Sequence, residues 1–264
     1  MLTLPRLYPI IDFSCFAAET DPISAVTRFA EELIGAGATL IQLRDKSQHD
    51  FENLGFENLG LENPGLENNV ARRFLSCARE LRRVALDRAT LIINDRVDIC
   101  LAAGADGVHL GQDDLSPTSS RRIFDSVISH APETPTQWVP HSLAAKPHNP
   151  SEISGERVGG ERLLIGFSTH NLAQIREADT LPVDYIAIGP VFATGSKANP
   201  DPVIGIEGVR QARRVTKKPL VAIGGITRQN CSQVKDSGAD AVAVISDLFE
   251  SPGKAVADFL RVLG

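Results

Sequence analysis

Eight short apolar, β-branched runs recur along the chain, each followed by a longer segment of helical period. This alternation limits the fold more than any other feature. The runs are 7–12 (LYPIID), 39–43 (TLIQL), 90–94 (TLIIN), 106–110 (DGVHL), 163–167 (LLIGF), 184–188 (DYIAI), 219–223 (PLVAI) and 241–245 (AVAVI). Strands that are apolar along their whole length fit a parallel sheet covered on both faces. The helical segments carry start signals. Asp21-Pro22 and Ser251-Pro252 pair an N-cap with a first-turn proline, and Asn171 and Thr227 read as further N-caps. Eight strand–helix units without a break in composition predict one α/β domain over 1–264, a single (β/α)8 TIM barrel. An open doubly wound sheet competes, but no G-x-G-x-x-G turn follows the first strand and the paired glycines come late.

Two segments depart from the pattern. Residues 51–69 read FENLGFENLGLENPGLENN, a five-residue repeat whose copies each carry glycine or turn-prone asparagine. Residues 130–161 are rich in Pro, Ser, Gly and His and lack periodicity. Both are expected to be loop insertions. The repeat follows strand two and so emerges on the C-terminal face, where barrel active sites lie. There it is either a lid over the substrate or a passive insertion. The other insertion precedes strand five, on the opposite face.

Composition narrows the function. The 264 residues include 27 Lys+Arg and 33 Asp+Glu, a net charge of −6. That balance supplies no basic footprint for nucleic acid or an anionic membrane, though a local phosphate site needs only a few cations. Four scattered cysteines with no C-x-x-C pair suit reduced thiols, and neither a signal peptide nor a spanning segment is evident. A soluble cytoplasmic protein acting on small molecules is expected, with its oligomeric state open.

Polar residues gather at the C-terminal strand ends. Gln42, Arg44 and Lys46 alternate along strand two and share one face, so the guanidinium and the ammonium form a clamp suited to phosphate oxygens. A surface ion-pair strand is the plainer alternative. Strand three ends Asn94-Asp95, and strand four runs through His109 to Asp113-Asp114. Carboxylates from adjacent strand ends can jointly hold Mg²⁺ with substrate phosphate; helix capping would be their ordinary use. His109, on an apolar strand, is expected behind the substrate-contacting groups. After strand six, Thr194-Gly195-Ser196-Lys197 offers hydroxyl, N–H and ammonium donors to an anion. Gly224-Gly225 and Ile245-Ser246 complete the phosphate corner usual after strands seven and eight. Ser168 and Thr169, after strand five, are expected on the same rim. The sum is one acidic metal corner and two phosphate corners, with no nucleophile elbow or Cys–His pair for acyl chemistry.

The stretches QLRDK, LIINDRVDICLAAGADGVHLGQDD, IGFSTHN, YIAIGPVFATGSK, VAIGGI and AVAVIS resemble, in content and order, the thiamine-phosphate synthase family. That resemblance spans about four fifths of the chain and omits both insertions. It implies a TIM-barrel transferase that joins 4-amino-2-methyl-5-pyrimidinylmethyl diphosphate to thiazole phosphate, giving thiamine phosphate and diphosphate. It further implies that Gln42, Leu43, Arg44, Asp45, Lys46, Asn94, Ser168 and Lys197 surround the pyrimidine diphosphate. Asp95 and Asp114 correspond to the Mg²⁺ ligands. Thr194, Gly195, Ser196, Gly225, Ile245 and Ser246 correspond to the thiazole phosphate pocket. Ser196 stands where many relatives carry threonine. On this reading Arg44→Ala lowers turnover sharply and leaves the fold intact. The rivals are a tautomerase-like isomerase of thiazole phosphate, a non-catalytic regulatory paralogue, and a phosphate-handling barrel of the indole-pathway kind.

Overall fold

The computed structural model describes residues 2–45, 64–129, 162–195 and 201–264, and of 64–69 only the backbone. Among the described residues, eight strands alternate with eight helices. They run β1 (Leu7–Asp12), α1 (Pro22–Gly35), β2 (Leu40–Arg44), α2 (Pro64–Ala85), β3 (Thr90–Asn94), α3 (Val97–Ala103), β4 (Gly107–Leu110) and α4 (Pro117–Ser129). There follow β5 (Leu164–Thr169), α5 (Leu172–Thr180), β6 (Tyr185–Ile188), α6 (Gly205–Val215), β7 (Leu220–Ile223), α7 (Cys231–Asp236), β8 (Ala241–Val244) and α8 (Pro252–Leu263). Each strand pairs in parallel with the next in sequence, and β8 returns to β1 through Tyr8↔Ala243, closing the expected barrel. No helix among the described residues is long and apolar enough to cross a membrane.

Alternation along the strands divides the core into two. Odd-even parity sends Leu7, Ile11, Ile41, Leu43, Ile93 and Val108 outward, where the helices cover them. It sends Tyr8, Ile10, Leu40, Ile92, Leu164, Tyr185 and Val221 into the barrel. Both faces are therefore apolar, which is why these strands read as continuous hydrophobic runs. The interior pairs large with small. Tyr185 lies opposite Gly166 in register, and a Cβ at Gly166 would stand 2.0 Å from the tyrosine ring.

The N-terminal face is pinned by a device used three times. Asp106, Asp184 and Asp240 each immediately precede an even strand, and each carboxylate accepts an N–H from the first or second residue of the strand before it. The donors are Leu91 (2.9 Å), Ile165 (2.7 Å) and Leu220 (2.8 Å). The three aspartates return their own N–H groups to the carbonyls of the same residues. An arginine from the helix preceding each odd strand completes the bracket: Arg82 to Asp106 at 3.2 Å, Arg121 to Asp184 at 2.6 Å and Arg213 to Asp240 at 2.7 Å. A carboxylate satisfied by both an arginine and a backbone N–H is a stable use of charge, and of the three Asp106 is the buried one.

Caps follow expectation in part. Asp21 accepts from the Ser24 N–H at 3.2 Å ahead of Pro22, and Asn171 from the Gln174 N–H at 3.0 Å. Ser251 holds the N-cap position of α8 without a side-chain bond. Thr227 is not a cap. Residues 227–230 form a turn, closed by the Thr227 N–H to Asn230 Oδ1 at 2.8 Å, so the helix starts three residues later and Asn230 takes the N-cap position. Of the pentapeptide repeat, 51–63 lies outside the described residues. Pro64 opens α2, so 64–69 belongs to a helix rather than to a loop, the proline serving as a first-turn residue. Residues 130–161 lie outside the described residues.

Candidate active site

A cavity of about 480 Å³ opens at the C-terminal ends of the strands, and seven of the eight strands or the loops after them line it. It gathers Arg44, Asp45, Asn94, Asp95, His109, Asp114, Ser168, Thr194, Gly225, Ile245 and Ser246 from the residues singled out in the sequence. Below it a pocket of about 70 Å³ is lined in part by Tyr8 and Gln42, and shares Arg44, Asn94, His109 and Ser168 with the cavity above.

Parity explains the division of strand two. Gln42 and Arg44 face inward; Leu43, fully buried, packs outward beneath the helices. The side chain of Leu43 is therefore not brought to the cavity. Arg44 sits opposite Asp12 in register, and its Nε lies 3.3 Å from Asp12 Oδ2. Burial pulls the guanidinium below its ordinary pKa, while the charges of Asp12 and Asp95 pull it back up. A cation so held has a fixed place and little water to displace.

Asp95 follows the last residue of β3 with φ of +62°, a left-handed conformation, and its N–H donates to the His109 carbonyl at 2.8 Å. Aspartate is one of the few residues that adopt this conformation without prohibitive cost, and such backbones collect at functional sites. Capping of α3 is not its role, since Arg96 holds that position without a side-chain bond. In the loop after β4, Asp114 Oδ2 accepts the Gly111 N–H at 2.6 Å, which fixes the carboxylate at the rim. Asp113 also lines the cavity.

The phosphate corner is built by interlocked loops. Gly224 and Gly225 adopt φ of +100° and +62°, and a Cβ at either would fall within 2.6 Å of the loop after β6. This approach lets the Val191 N–H donate to the Ile223 carbonyl at 2.9 Å and the Phe192 N–H to Gly224 at 3.0 Å. Asn230 Nδ2 holds the Gly225 carbonyl at 3.0 Å. Arg228 and Asp247 tie the β7 loop to the short 3-10 helix Ser246–Leu248, with Nε to Oδ2 at 3.1 Å. Thr194 reaches the cavity from this frame, whereas Gly195 lies exposed on the loop and does not line it. Lys46, Ser196 and Lys197 lie outside the described residues.

Thr169 does not face the rim. It is buried, and its hydroxyl donates to the Ala187 carbonyl at 2.7 Å. Ser168, one residue earlier, does face the cavity and contacts His109 Nε2 at 2.8 Å. His109 is buried as expected, and burial lowers its pKa to about 4, so its ring is neutral at pH 7. Sequence reasoning passed over His170, Gln112, Gln174 and Asp201, which also line the cavity. His170 Nδ1 donates to the Gly189 carbonyl at 2.8 Å and lies 3.4 Å from Asp201 Oδ2. It stands two positions beyond Ser168, so the same alternation that marks Ser168 could have marked it.

The family model for thiamine monophosphate synthase matches residues 13–137 and 153–248, which include every cavity residue named above. The chain belongs to this family. It is 42% identical to the thiamine-phosphate synthase of Koribacter versatilis, over 99% of this chain and 97% of that one. With the thiamine-phosphate synthase of Albidiferax ferrireducens it shares 32% identity over 96% of this chain and 88% of the relative. Among solved structures, the thiamine phosphate pyrophosphorylase from Pyrococcus furiosus superposes with a TM-score of 0.66 at 26% identity, covering 98% of this chain and 95% of that one. Members of the thiamine monophosphate synthase family thus match this chain in sequence along nearly its whole length, and in fold.

Proposed function

We propose that this cavity forms thiamine phosphate by transferring the pyrimidinylmethyl group of 4-amino-2-methyl-5-pyrimidinylmethyl diphosphate to the ring nitrogen of thiazole phosphate. The observation that carries the reading is the convergence of Arg44, Asp95, Asp114, Ser168, Thr194 and Ser246 on one cavity, two anion corners flanking an acidic one. The C–O bond to diphosphate breaks, leaving a pyrimidine carbocation stabilised by its amino group. The thiazole nitrogen lone pair then forms the new C–N bond. No protein nucleophile takes part, so catalysis consists of placing two substrates and receiving the charge of the leaving group.

Arg44 takes the diphosphate oxygens, joined by Lys46 and Lys197 on the strength of the family resemblance. Asn94 and Ser168 orient the pyrimidine, with Gln42 below them. Thr194, Gly225 and Ser246 hold the thiazole phosphate, and Ile245 packs against that substrate. Two carboxylates facing one cavity are a hard oxygen donor set, suited to Mg²⁺, which keeps few protein ligands and completes its shell with water and phosphate. Asp95 and Asp114 would hold it. When bound, the ion supplies Lewis-acid neutralisation of the departing diphosphate. Four free thiols, three of them buried, support a reducing, cytoplasmic setting.

Calorimetric titration of inorganic diphosphate with and without Mg²⁺ tests the assignment. Mg²⁺ is expected to tighten binding by tenfold or more, and Asp95→Asn with Asp114→Asn to remove that gain while thiazole phosphate still binds. Diphosphate binding that ignores Mg²⁺ in the unaltered protein would refute the metal corner.

A further inference from the structure

Five side chains from five strands form one continuous hydrogen-bonded chain across the barrel, and three of them, Tyr8, Tyr185 and His109, have no place in the reaction as described. Gln42 Nε2 on β2 donates to the Tyr8 hydroxyl on β1 at 2.9 Å. Tyr8 and Tyr185, on β1 and β6, join hydroxyl to hydroxyl at 2.7 Å. The Tyr185 hydroxyl meets His109 Nδ1 on β4 at 3.1 Å, and His109 Nε2 meets Ser168 Oγ on β5 at 2.8 Å. Gln42, Tyr8, Tyr185 and His109 are all buried, and only Ser168 is partly exposed, at the cavity wall. The two tyrosine rings pack edge to face, and His109 stacks on Tyr185.

The chain has a direction. An amide nitrogen only donates, so the Tyr8 oxygen accepts from Gln42, and the order that leaves no buried hydroxyl proton without an acceptor in the chain has Tyr8 donating to Tyr185. Tyr185 in turn passes its proton to His109 Nδ1. A neutral imidazole has one donor and one acceptor. With Nδ1 accepting, Nε2 carries the hydrogen and donates to Ser168 Oγ. The Ser168 proton is then committed to none of the four and is left for an acceptor in the cavity that Ser168 lines. Reversing the order would lock the serine proton onto the histidine and present only lone pairs to a ligand.

We propose that Tyr8 and Tyr185 are positioning residues that set the His109 tautomer and thereby make Ser168 a fixed hydrogen-bond donor to an acceptor atom of the substrate. This rests on the reading of the cavity as the coupling site. The architecture is built for it: Gly166 is bare so that the Tyr185 ring can cross it, with the hypothetical Cβ only 2.3 Å from the hydroxyl itself. A fully connected buried polar chain of this kind specifies one arrangement, whereas a broken one leaves costly orphans.

Two measurements test it separately from the coupling reading. Nitrogen-15 NMR of the ligand-free protein is expected to show His109 as a single Nε2–H tautomer. An Nδ1–H tautomer overturns the proposal whatever the enzyme's activity. Steady-state turnover at saturating substrates supplies the second readout. Ser168→Ala and Tyr185→Phe should each lower it by about tenfold, the equivalent of one hydrogen bond. Combining them should cost no more than either alone. Tyr8→Phe removes a buried hydroxyl from the same pair but leaves the Tyr185–His109 link, so its effect on turnover should be several-fold smaller at comparable loss of thermal stability. Multiplying effects in Tyr185→Phe/Ser168→Ala, or equal effects from the two tyrosine variants, would reduce the tyrosines to packing. If Ser168→Ala alone changes nothing, the assignment of Ser168 to the substrate fails instead.

Discussion

Gly166→Ala is the substitution on which the interior packing makes its sharpest statement. The new methyl would stand 2.0 Å from Tyr185 Cζ, 2.3 Å from its hydroxyl and 2.4 Å from Cε2. Carbon atoms rest at about 3.5–4.0 Å, so the ring must retreat by roughly 1.5 Å. Tyr185 is fully buried and bonded to Tyr8 at 2.7 Å and His109 at 3.1 Å, and a shift of that size breaks both bonds. Two buried hydrogen bonds contribute about 1 kcal/mol each. Overpacking costs about 1–3 kcal/mol. The lower chain entropy of alanine returns about 0.5–1 kcal/mol. The net is about 2–4 kcal/mol, and for a protein of this size about 5–15 °C in Tm. Calorimetry on the single variant and on Gly166→Ala/Tyr185→Leu supplies the check. With the ring gone the methyl has room, so the double variant should be more stable than the sum of the single losses. A Gly166→Ala melting point within a degree or two of the parent, or strictly additive losses, would refute the packing argument.

Three further outcomes follow from the same geometry. Asp106→Ala should destabilise by about 3–5 kcal/mol in urea unfolding, because it strands the buried Arg82 and the Leu91 N–H; Asp106→Asn should cost less. Arg44→Ala should lower turnover at least a hundredfold. It also removes the ion pair of buried Asp12, so a measurable loss of stability accompanies it while the fold stays intact. His109 has its folded pKa depressed to about 4 by burial, so the unfolded chain binds the proton more tightly. Its contribution is complete above about pH 6.5 and is lost as pH falls toward 4, by up to about 3 kcal/mol. Unfolding free energies at pH 4.5 and 7 should therefore differ by less in His109→Gln than in the parent protein.

Much of this could be read from the residues because strand parity in a closed barrel is a strict rule. Arg44, Asn94 and Ser168 were placed by their position at strand ends, and each lines the cavity. Leu43 misled because a contiguous motif ignores parity; its neighbours face inward and it cannot. Thr169 failed for the same reason. Tyr8 and Tyr185 stand out in no motif, since an aromatic on an apolar strand carries no sign that its hydroxyl has a partner across the barrel. The left-handed backbone of Asp95 was invisible, as aspartate adopts it only when the chain around it demands it. The three Asp–Arg brackets were hidden too: their partners lie 24, 63 and 27 residues apart, beyond any local pattern.

One assay directly meets the proposal that this cavity joins the two substrates with Mg²⁺. Purified protein is mixed with the pyrimidinylmethyl diphosphate, thiazole phosphate and Mg²⁺, and thiamine phosphate is detected after oxidation to its fluorescent product, with a parallel reaction containing chelator. Product is expected to form with Mg²⁺ and to disappear with chelator. A folded protein that binds thiazole phosphate yet forms no product under either condition would contradict the proposal.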